Sequence, residues 1–313
     1  MPLRRLPFVA EPFLAVDAVA GFVAGVADSA GPGAAVACPP GAANPYFAYR
    51  CRRMEFTRRV VAFEGRLRAC RNVLTLGVHT NFDDYTPEER ELIRQADTVY
   101  YPTTFYAELF SAAGKRTFPS HRTYTCVQDK IKQTALFRLL GIPHPRTRVF
   151  YGRRKADIAR AFEFPFVAKA ARGSARGRGV FLIRTPAELE AYCGRHPVAY
   201  VQEYLPLDRD VRVVVIGRAV AHAYWRVAPP GEFRTNVAVG GRVCLDPVPA
   251  EALELAVRTA RLCGWDDVGI DLCRRDGGWV VLEANMKYGR EGFRQAGIDY
   301  TRLMERLIET HDI

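Results

Sequence analysis

Two acids and an amide near the end of the chain are the side chains best suited to binding a cation. Glu283 and Asn285 are two residues apart in an apolar strand, so both face the same side of a sheet. Asp276-Gly277-Gly278 predicts a three-residue hairpin loop, and pairing outward from that loop places Asp271 opposite Glu283. Facing carboxylates repel each other, and a bound cation would remove that repulsion. Because the flanking residues are apolar, a solvated acidic face fits less well than a Mg²⁺ site with oxygen ligands.

A glycine-rich segment could bind an anion. Arg172–Gly179 reads RGSARGRG and begins three residues after Lys169. Glycines allow backbone N–H groups to approach an anion closely, and Lys169 would add positive charge. The segment lacks the GK[ST] ending of a P-loop and has predicted strands on both sides, so neither a P-loop nor a Rossmann motif fits. A glycine-rich hairpin tip remains the alternative.

Two further segments could contact a nucleotide. Tyr200–Leu205 is an apolar strand end whose backbone could bind an adenine edge, and Asp210 just beyond it could bind ribose. Arg226 and the segment Glu232–Asn236 offer cationic and amide donors of the kind that stabilise a transferring phosphoryl group. Taken alone, the first segment is only a strand and a turn, and surface arginines are the better explanation of the second.

The order of these segments resembles that of the ATP-grasp superfamily, and within it the RimK-like ligases that add glutamate to ribosomal protein or to small acceptors. The resemblance covers about residues 126–313. It rests on motifs that occur in this order: Lys130, Lys169 before the glycine loop, QEY at 202–204, DxR at 210–212, Arg226, FRTN at 233–236, Gly240-Gly241, Asp271 and ExN at 283–285.

The resemblance implies that the protein uses ATP with Mg²⁺ or Mn²⁺, and it assigns roles to individual residues. The implied nucleotide-binding residues are Lys130, Lys169, Gly173, Ser174, Gly177, Gly179, Gln202, Glu203, Tyr204, Asp210, Arg212 and Thr235. The implied catalytic residues, facing the triphosphate and an acyl-phosphate intermediate, are Arg226, Arg234 and Asn236. The implied metal ligands are Asp271, Glu283 and Asn285.

The implied reaction forms an amide bond through an acyl phosphate. The expected partners are ATP, an amino acid such as glutamate, and an acceptor peptide or small carboxylate. After Asn285 the family usually has a small residue, Ser or Thr, Pro and Gly, whereas this chain has Met286-Lys287-Tyr288-Gly289. In the family, that loop lies near the acceptor side of the active site, so the identity of the acceptor stays open. Lys287, Arg290 and Arg294 would suit an acidic acceptor, and a solvated surface is the alternative.

We expect the helices and strands that position these residues to form an α/β (α+β) ATP-grasp fold in three parts. Residues 1–125 would form a small N-terminal α/β domain, with strands at 73–78 and 98–101 and a helix that opens at the capping box of Thr86 and Glu89. Residues 126–198 would form a central lid subdomain that contains a helix at 130–140. Residues 199–313 would form a C-terminal antiparallel-sheet subdomain that contains the metal site.

Composition limits the other functions that the sequence could have. The chain has 313 residues, a formal net charge of +11 and ordinary globular proportions of hydrophobic and charged residues. The excess charge favours anionic partners, but the longest basic run, Arg153–Lys155, is too short for a nucleic-acid tail, so we expect no nucleic-acid partner. The eight cysteines include no CxxC pair, which predicts reduced thiols. Phe13–Ala27 contains Asp17 and is too short to span a bilayer, which predicts a cytoplasmic protein without membrane contact.

Three alternatives to a glutamate ligase remain at this stage. The chain could be an ATP-grasp ligase that makes a dipeptide or another small metabolite. It could also be an ATP-binding module without catalysis, or a basic nucleic-acid binder. The sequence leaves the oligomeric state open, including a homo-oligomer.

Overall fold

A small parallel sheet opens the part of the chain that the structure describes. The structure is a computed structural model, and it describes residues 60–172 and 179–313. The strands are β1 (Val61–Ala62), β2 (Leu74–Thr75), β3 (Thr98–Tyr100) and β4 (Arg116–Phe118), in the order β2-β1-β3-β4. Helices α1 (Pro87–Gln95) and α2 (Thr103–Ala112) connect them. The predicted strand at 73–78 is only two residues long, and the short strands β1 (two residues) and β4 (three residues) were not predicted.

The predicted start of α1 is confirmed. The Thr86 hydroxyl accepts a hydrogen bond from the Glu89 backbone N–H (3.2 Å), and the Glu89 carboxylate accepts one from the Thr86 backbone N–H (3.1 Å). These reciprocal bonds satisfy two amides that the first turn of a helix leaves without partners. The capping box therefore fixes where α1 begins.

A four-stranded antiparallel sheet forms the middle of the chain. Its strands are β5 (Thr147–Tyr151), β6 (Phe166–Lys169), β7 (Val180–Ile183) and β8 (Val198–Glu203), in the order β5-β8-β6-β7. Helices α5 (Ile158–Ala161) and α6 (Pro186–Arg195) accompany it. Because β8 belongs to this sheet, the sheet extends to Glu203, while the division of the chain into three domains stays a prediction.

A five-stranded antiparallel sheet carries the rest of the site. Its strands are β9 (Arg209–Ile216), β10 (Ala219–Val227), β11 (Arg242–Cys244), β12 (Asp267–Arg275) and β13 (Gly278–Asn285), in the order β11-β10-β9-β12-β13. One face packs on α4 (Lys130–Leu140) and α7 (Ala250–Cys263) through alternate apolar residues such as Val211, Val213, Ile270 and Leu272. That packing leaves the intervening residues to face the other way.

The opposite face of this sheet is aromatic at one end. Tyr288 and Phe293 pack there with Val214, Ile216 and the aromatic residues that end β3 and β4. Three more helices lie in the described region, namely α3 (His121–Val127), α8 (Glu291–Gln295) and α9 (Tyr300–Glu309). The hydrophobic contact joins the small parallel sheet to the five-stranded sheet.

The hairpin β12–β13 has the predicted pairing but not the predicted loop. The turn has two residues, Asp276 (φ +49°) and Gly277 (φ +80°), and Arg275 pairs with Gly278. Positive φ at both turn residues is the pattern of a type I′ turn, which suits the strand twist. The predicted three-residue loop is therefore wrong. A bulge at Leu282 shifts the register by one residue, so Asp271 does lie opposite Glu283.

Two further features concern the described residues alone. None of their helices combines the length and apolar character needed to cross a membrane. Their six cysteines are free thiols. The segment Phe13–Ala27 lies outside the described residues.

Candidate active site

A cleft is lined by residues of the central and five-stranded sheets. It is open at its mouth and has a cavity volume of about 100 Å³. Most of the predicted site residues line it, namely Lys169, Gln202, Glu203, Tyr204, Asp210, Arg226, Arg234, Thr235, Asn236, Asp271 and Glu283. The structure thus brings together side chains that are far apart in sequence.

The glycine loop is described only at its ends. Gly173, Ser174 and Gly177 lie outside the described residues, so their role stays a prediction. The Gly179 carbonyl accepts a hydrogen bond from the Ala170 backbone N–H (2.7 Å), which closes the base of the loop. The Arg172 guanidinium donates to the Asp129 carboxylate (2.7 Å) at the start of α4.

Paired arginines and aspartates form the floor of the cleft. Arg212 donates two hydrogen bonds to Asp271, both of 2.7 Å, and the register places the two residues directly opposite each other. Arg226 likewise donates two to Asp210 (2.8 and 2.5 Å) and lies 2.9 Å from Asp271. The Thr235 hydroxyl donates to Asp210 (2.6 Å). All five residues are buried.

These pairs change how the predicted roles are understood. The Asp210 carboxylate, predicted to bind ribose, contacts Arg226 and Thr235, so that role stays a prediction. Burial alone would lower the pKa of Arg226, but Asp210 and Asp271 raise it, so the guanidinium stays charged.

The sequence analysis did not predict that these arginines and aspartates pair with each other. The signal that could have revealed it is the alternation of Asp210 and Arg212 on one face of a central strand.

Glu283 is held in its charged form by neighbouring lysines. Its Oε1 accepts a hydrogen bond from the Asn285 amide (2.8 Å), and its Oε2 lies 3.9 Å from the Lys130 ammonium. Burial alone would raise the pKa of Glu283, but Lys130, Lys169 and Asn285 hold it at about 2. Arginines and lysines therefore already offset the repulsion between Asp271 and Glu283, so that repulsion does not by itself require a metal ion.

Lys169 places a buried positive charge at the cleft. It ends β6, is 7% exposed and lines the cleft, yet its ammonium makes no hydrogen bond or ion pair with any residue that the structure describes. Burial lowers the pKa of Lys169, and the charge of Glu283 only partly counteracts this. A buried ammonium that lacks a counter-ion is a favourable position for an anionic ligand.

The oxygen atoms near Lys169 fit a hard cation. Glu283 and Asn285 share one face of β13, and Asp271 lies opposite Glu283, so two carboxylates and an amide converge. Mg²⁺ is commonly bound by one or two carboxylates together with substrate phosphates. Within residues 60–172 and 179–313, no group of three or more His, Cys, Asp or Glu side chains could hold a metal ion. The predicted metal site therefore needs the amide oxygen of Asn285 and the phosphate oxygens of a bound substrate to complete its set of ligands.

The segment after β8 forms another wall of the cleft. Glu203 accepts hydrogen bonds from the Arg146 backbone N–H and from Arg275, both of 2.6 Å. The Gln202 amide donates to the Thr147 hydroxyl (3.0 Å). The Tyr204 ring packs edge-on against Phe233 (6.5 Å between centroids). The side chains of Gln202 and Glu203 are thus bound to the protein, and the Glu203 backbone N–H donates to the Arg146 carbonyl (2.9 Å), so a contact of these residues with an adenine edge stays a prediction.

Comparison of the fold defines the class of protein. A RimK domain ATP-grasp protein from Sphaerobacter thermophilus DSM 20745 superposes with a TM-score of 0.61 over 79% of this chain and 98% of its own, at 18% identity. D-alanine–D-alanine ligase from Bacillus anthracis gives a TM-score of 0.61 over 82% and 97% of the two chains, at 14% identity. The fold is therefore the predicted ATP-grasp fold.

The family follows from the sequence. The model of the RimK-like ATP-grasp domain matches residues 127–308, and the chain belongs to this family, as its motifs predicted. Beta-citrylglutamate synthase B of Danio rerio is 38% identical over 170 residues, 51% of this chain and 42% of the relative. A probable alpha-L-glutamate ligase of Enterobacter sp. (strain 638) is 30% identical over 221 residues, 66% and 73% of the two chains. The chain thus spans between two fifths and three quarters of the length of these relatives.

Proposed function

We propose that the protein is an ATP-dependent carboxylate–amine ligase that joins glutamate or a related amino acid to an acceptor. The observation that carries the proposal is Lys169, a buried ammonium that lines the cleft near ionised Glu283 and has no hydrogen bond or ion pair within the described residues. The names of the relatives, which are glutamate ligases and a synthase that forms a glutamate conjugate, support the choice of reaction.

ATP would bind with its phosphates at the two lysines. Lys169 and Lys130 supply positive charge, and the backbone after β8 would hold the adenine. Asp271, Glu283 and Asn285 would hold Mg²⁺, which supplies charge neutralisation for the phosphates when bound. Asp210 and Asp271 fix the guanidinium of Arg226 beforehand, so little reorganisation is needed when negative charge develops nearby.

The reaction would take place in two steps on the substrates. A carboxylate oxygen of the acceptor attacks the γ-phosphorus of ATP, the bond to the β-phosphate oxygen breaks, and ADP leaves. The amine of the amino acid then attacks the carbonyl of the acyl phosphate, loses a proton and displaces inorganic phosphate. The protein contributes position and charge, and none of these steps requires a side-chain nucleophile.

A small acceptor is a second candidate that a specific observation favours. Beta-citrylglutamate synthase B and N-acetylaspartylglutamate synthase A, whose names describe small conjugates, are 38% and 35% identical to this chain over their matched regions. A ribosomal protein bS6–L-glutamate ligase of Escherichia coli O139:H28 is 31% identical over 193 residues. Both acceptor classes therefore belong in the test.

The test is ADP release in the presence of Mg-ATP and L-glutamate, with small carboxylates or a peptide that ends in a free carboxylate as acceptors. We expect ADP release that requires both the amino acid and one acceptor class, with the amide product detected by mass. Binding of ATP without any such release would contradict the ligase proposal. Lys169→Met should abolish the release, whereas Lys132→Met, which changes an exposed lysine on α4, should leave it unchanged.

A further inference from the structure

The outer edge of β13 is held by a side chain of α4. β13 is an edge strand of the five-stranded sheet, so one side of its backbone lies outside the ladder. On that side the Gln133 amide oxygen accepts a hydrogen bond from the Ala284 backbone N–H (2.9 Å), and the Gln133 NH2 group donates one to the Ala284 carbonyl (2.9 Å). Gln133 therefore exchanges two hydrogen bonds with Ala284, as a residue of a neighbouring antiparallel strand would.

Both donors of the Gln133 amide are used. Its NH2 group also donates to the carbonyl of Val127 (2.6 Å), the last residue of α3, and Gln133 is buried. An amide NH2 group has two hydrogens, so the carbonyls of Val127 and Ala284 account for them. The amide is therefore fixed in one orientation between α3 and β13.

Ala284 lies between two of the predicted metal ligands. Glu283 precedes it and Asn285 follows it, and both face the cleft, whereas Ala284 is buried against the helices. The bulge at Leu282 interrupts the ladder immediately before this segment. Because side chains alternate along a strand, a backbone that is fixed at Ala284 determines the directions of both neighbouring side chains.

The same turn of α4 contacts other parts of the cleft. Lys130 lies three residues before Gln133, a spacing that places two side chains on one face of a helix, and its ammonium is 3.9 Å from the Glu283 carboxylate. The next residue, Thr134, has its hydroxyl 2.7 Å from the Tyr200 hydroxyl on β8. This turn of the helix therefore contacts both sheets that line the cleft.

We propose that Gln133 is a positioning residue for the divalent cation of the ligase. By fixing the backbone of Ala284, it holds the Glu283 carboxylate and the Asn285 amide in the directions from which they bind the ion. The inference rests on the proposed function, because the ion is the one that accompanies ATP in that reaction. Gln133 does not line the cleft, so it acts through the strand and not by contact with the ion or the substrates.

The physical reason is that the amide satisfies three buried backbone groups. Without it, the N–H and carbonyl of Ala284 and the carbonyl of Val127 would lose these partners. Buried polar groups without partners are costly, so the strand would shift to find others. A shift of the backbone at Ala284 would move the oxygen atoms of Glu283 and Asn285 out of the arrangement that suits the ion.

The test is binding of a divalent cation to the full chain saturated with a non-hydrolysable ATP analogue. The probe is Mn²⁺, which accepts oxygen ligands as Mg²⁺ does and whose free form is measured by electron paramagnetic resonance. Gln133→Met keeps the length of the side chain and removes all three hydrogen bonds. We expect it to weaken Mn²⁺ binding about tenfold or more. Calorimetric titration without a divalent cation should show unchanged binding of the ATP analogue.

Gln133→Asn is the second variant, and Phe137→Leu is the matched control. Gln133→Asn keeps the amide but is one methylene too short for the same contacts, so it should also weaken Mn²⁺ binding. Phe137 is buried one turn further along α4 and packs against Trp265 (5.9 Å between ring centroids). Its replacement by leucine should lower the unfolding midpoint. It should leave the Mn²⁺ affinity unchanged, which separates positioning from a general loosening of the helix.

Three outcomes would overturn the proposal. The first is Mn²⁺ binding by the Gln133 variants that equals binding by the wild type, and the second is an equal loss in Phe137→Leu. The third is a wild-type complex that binds the ATP analogue but no Mn²⁺. Failure of the wild type to bind the ATP analogue at all would instead contradict the proposed function.

Discussion

At the scale of single residues, the buried charges of the described part of the chain are paired, with the exception of Lys169. Arg212 and Arg226 are fixed by aspartates on neighbouring strands, and Glu283 is balanced by Lys130 and its surroundings. Removing a charge from water is costly unless a partner compensates it. Lys169 has no such contact partner in the described structure, and the partner that we propose for it is the phosphate of a bound nucleotide.

Replacing Lys169 should therefore have opposite effects on binding and on stability. We expect Lys169→Met to weaken ATP binding about tenfold or more, because a charge-assisted contact to phosphate is lost. The same substitution should raise the thermal unfolding midpoint of the ligand-free protein, because burial of an unpaired ammonium no longer opposes folding. Calorimetric titration and thermal unfolding measure the two effects. A lower midpoint together with unchanged ATP affinity would contradict this explanation.

The depressed pKa of Glu283 predicts how stability depends on pH. A carboxyl group with a pKa near 2 in the folded protein and near 4.5 in the unfolded chain stabilises the fold above pH 4.5. That contribution is lost as the pH falls towards 2. The difference in unfolding free energy between the wild type and Glu283→Gln should be constant from pH 8 to about 4.5 and shrink below it. Urea unfolding at several pH values measures this, with Glu108→Gln as the exposed control, and a difference that does not change with pH would count against it.

At the scale of elements, the bulge in β13 decides which way the predicted metal ligands Glu283 and Asn285 point. Val281 pairs with Leu272 and faces the helices, while Glu283 pairs with Asp271 and faces the cleft. In a regular strand, residues 281 and 283 would lie on the same face. The extra residue, Leu282, turns Glu283 and Asn285 to the cleft side. The bulge thus separates the apolar part of the strand from its polar part.

Deleting Leu282 should leave the register of the site unchanged. Without the bulge residue, Glu283 follows Val281 directly, still pairs with Asp271 and still faces the cleft. We therefore expect the deletion variant to keep its ATP binding, measured by calorimetric titration. Asp276→Gly is the control, since glycine adopts the positive φ of the turn without strain. A deletion variant that no longer binds ATP would show that the local shape of the bulge, and not only the register, orients Glu283 and Asn285.

The hairpin also shows how far the sequence alone could lead. The prediction that Asp271 lies opposite Glu283 was correct. It was made from a loop one residue too long, and the bulge, which was not predicted, compensated for that error. Helices with clear caps, such as those starting at Thr86 and Asp129, were confirmed because the signals are local. The contact of Arg212 with Asp271 was not foreseen, because sheet order determines it and is not a local property.

At the scale of the whole described region, a cluster around Arg66 joins the parallel sheet to the five-stranded sheet. Asp267, at the start of β12, is fully buried and accepts hydrogen bonds from the hydroxyls of Tyr101 (2.9 Å) and Tyr288 (2.7 Å). The Arg66 guanidinium lies 3.6 Å from the same carboxylate. No local sequence motif predicts this contact, because its partners come from opposite ends of the described chain.

This cluster predicts strong coupling between Arg66 and Asp267. Arg66→Met should lower the unfolding free energy by about 3–5 kcal/mol, because it leaves a buried carboxylate without its cation. Adding Asp267→Asn removes the uncompensated charge, so the double variant should be more stable than the sum of the two single effects predicts. The exposed pair Arg154 and Asp157, at 3.3 Å, is the matched control, and its cycle should give at most about 1 kcal/mol. Additive effects at Arg66 and Asp267 in urea unfolding would mean that the two sheets are held together by the surrounding aromatic packing and not by this ion pair.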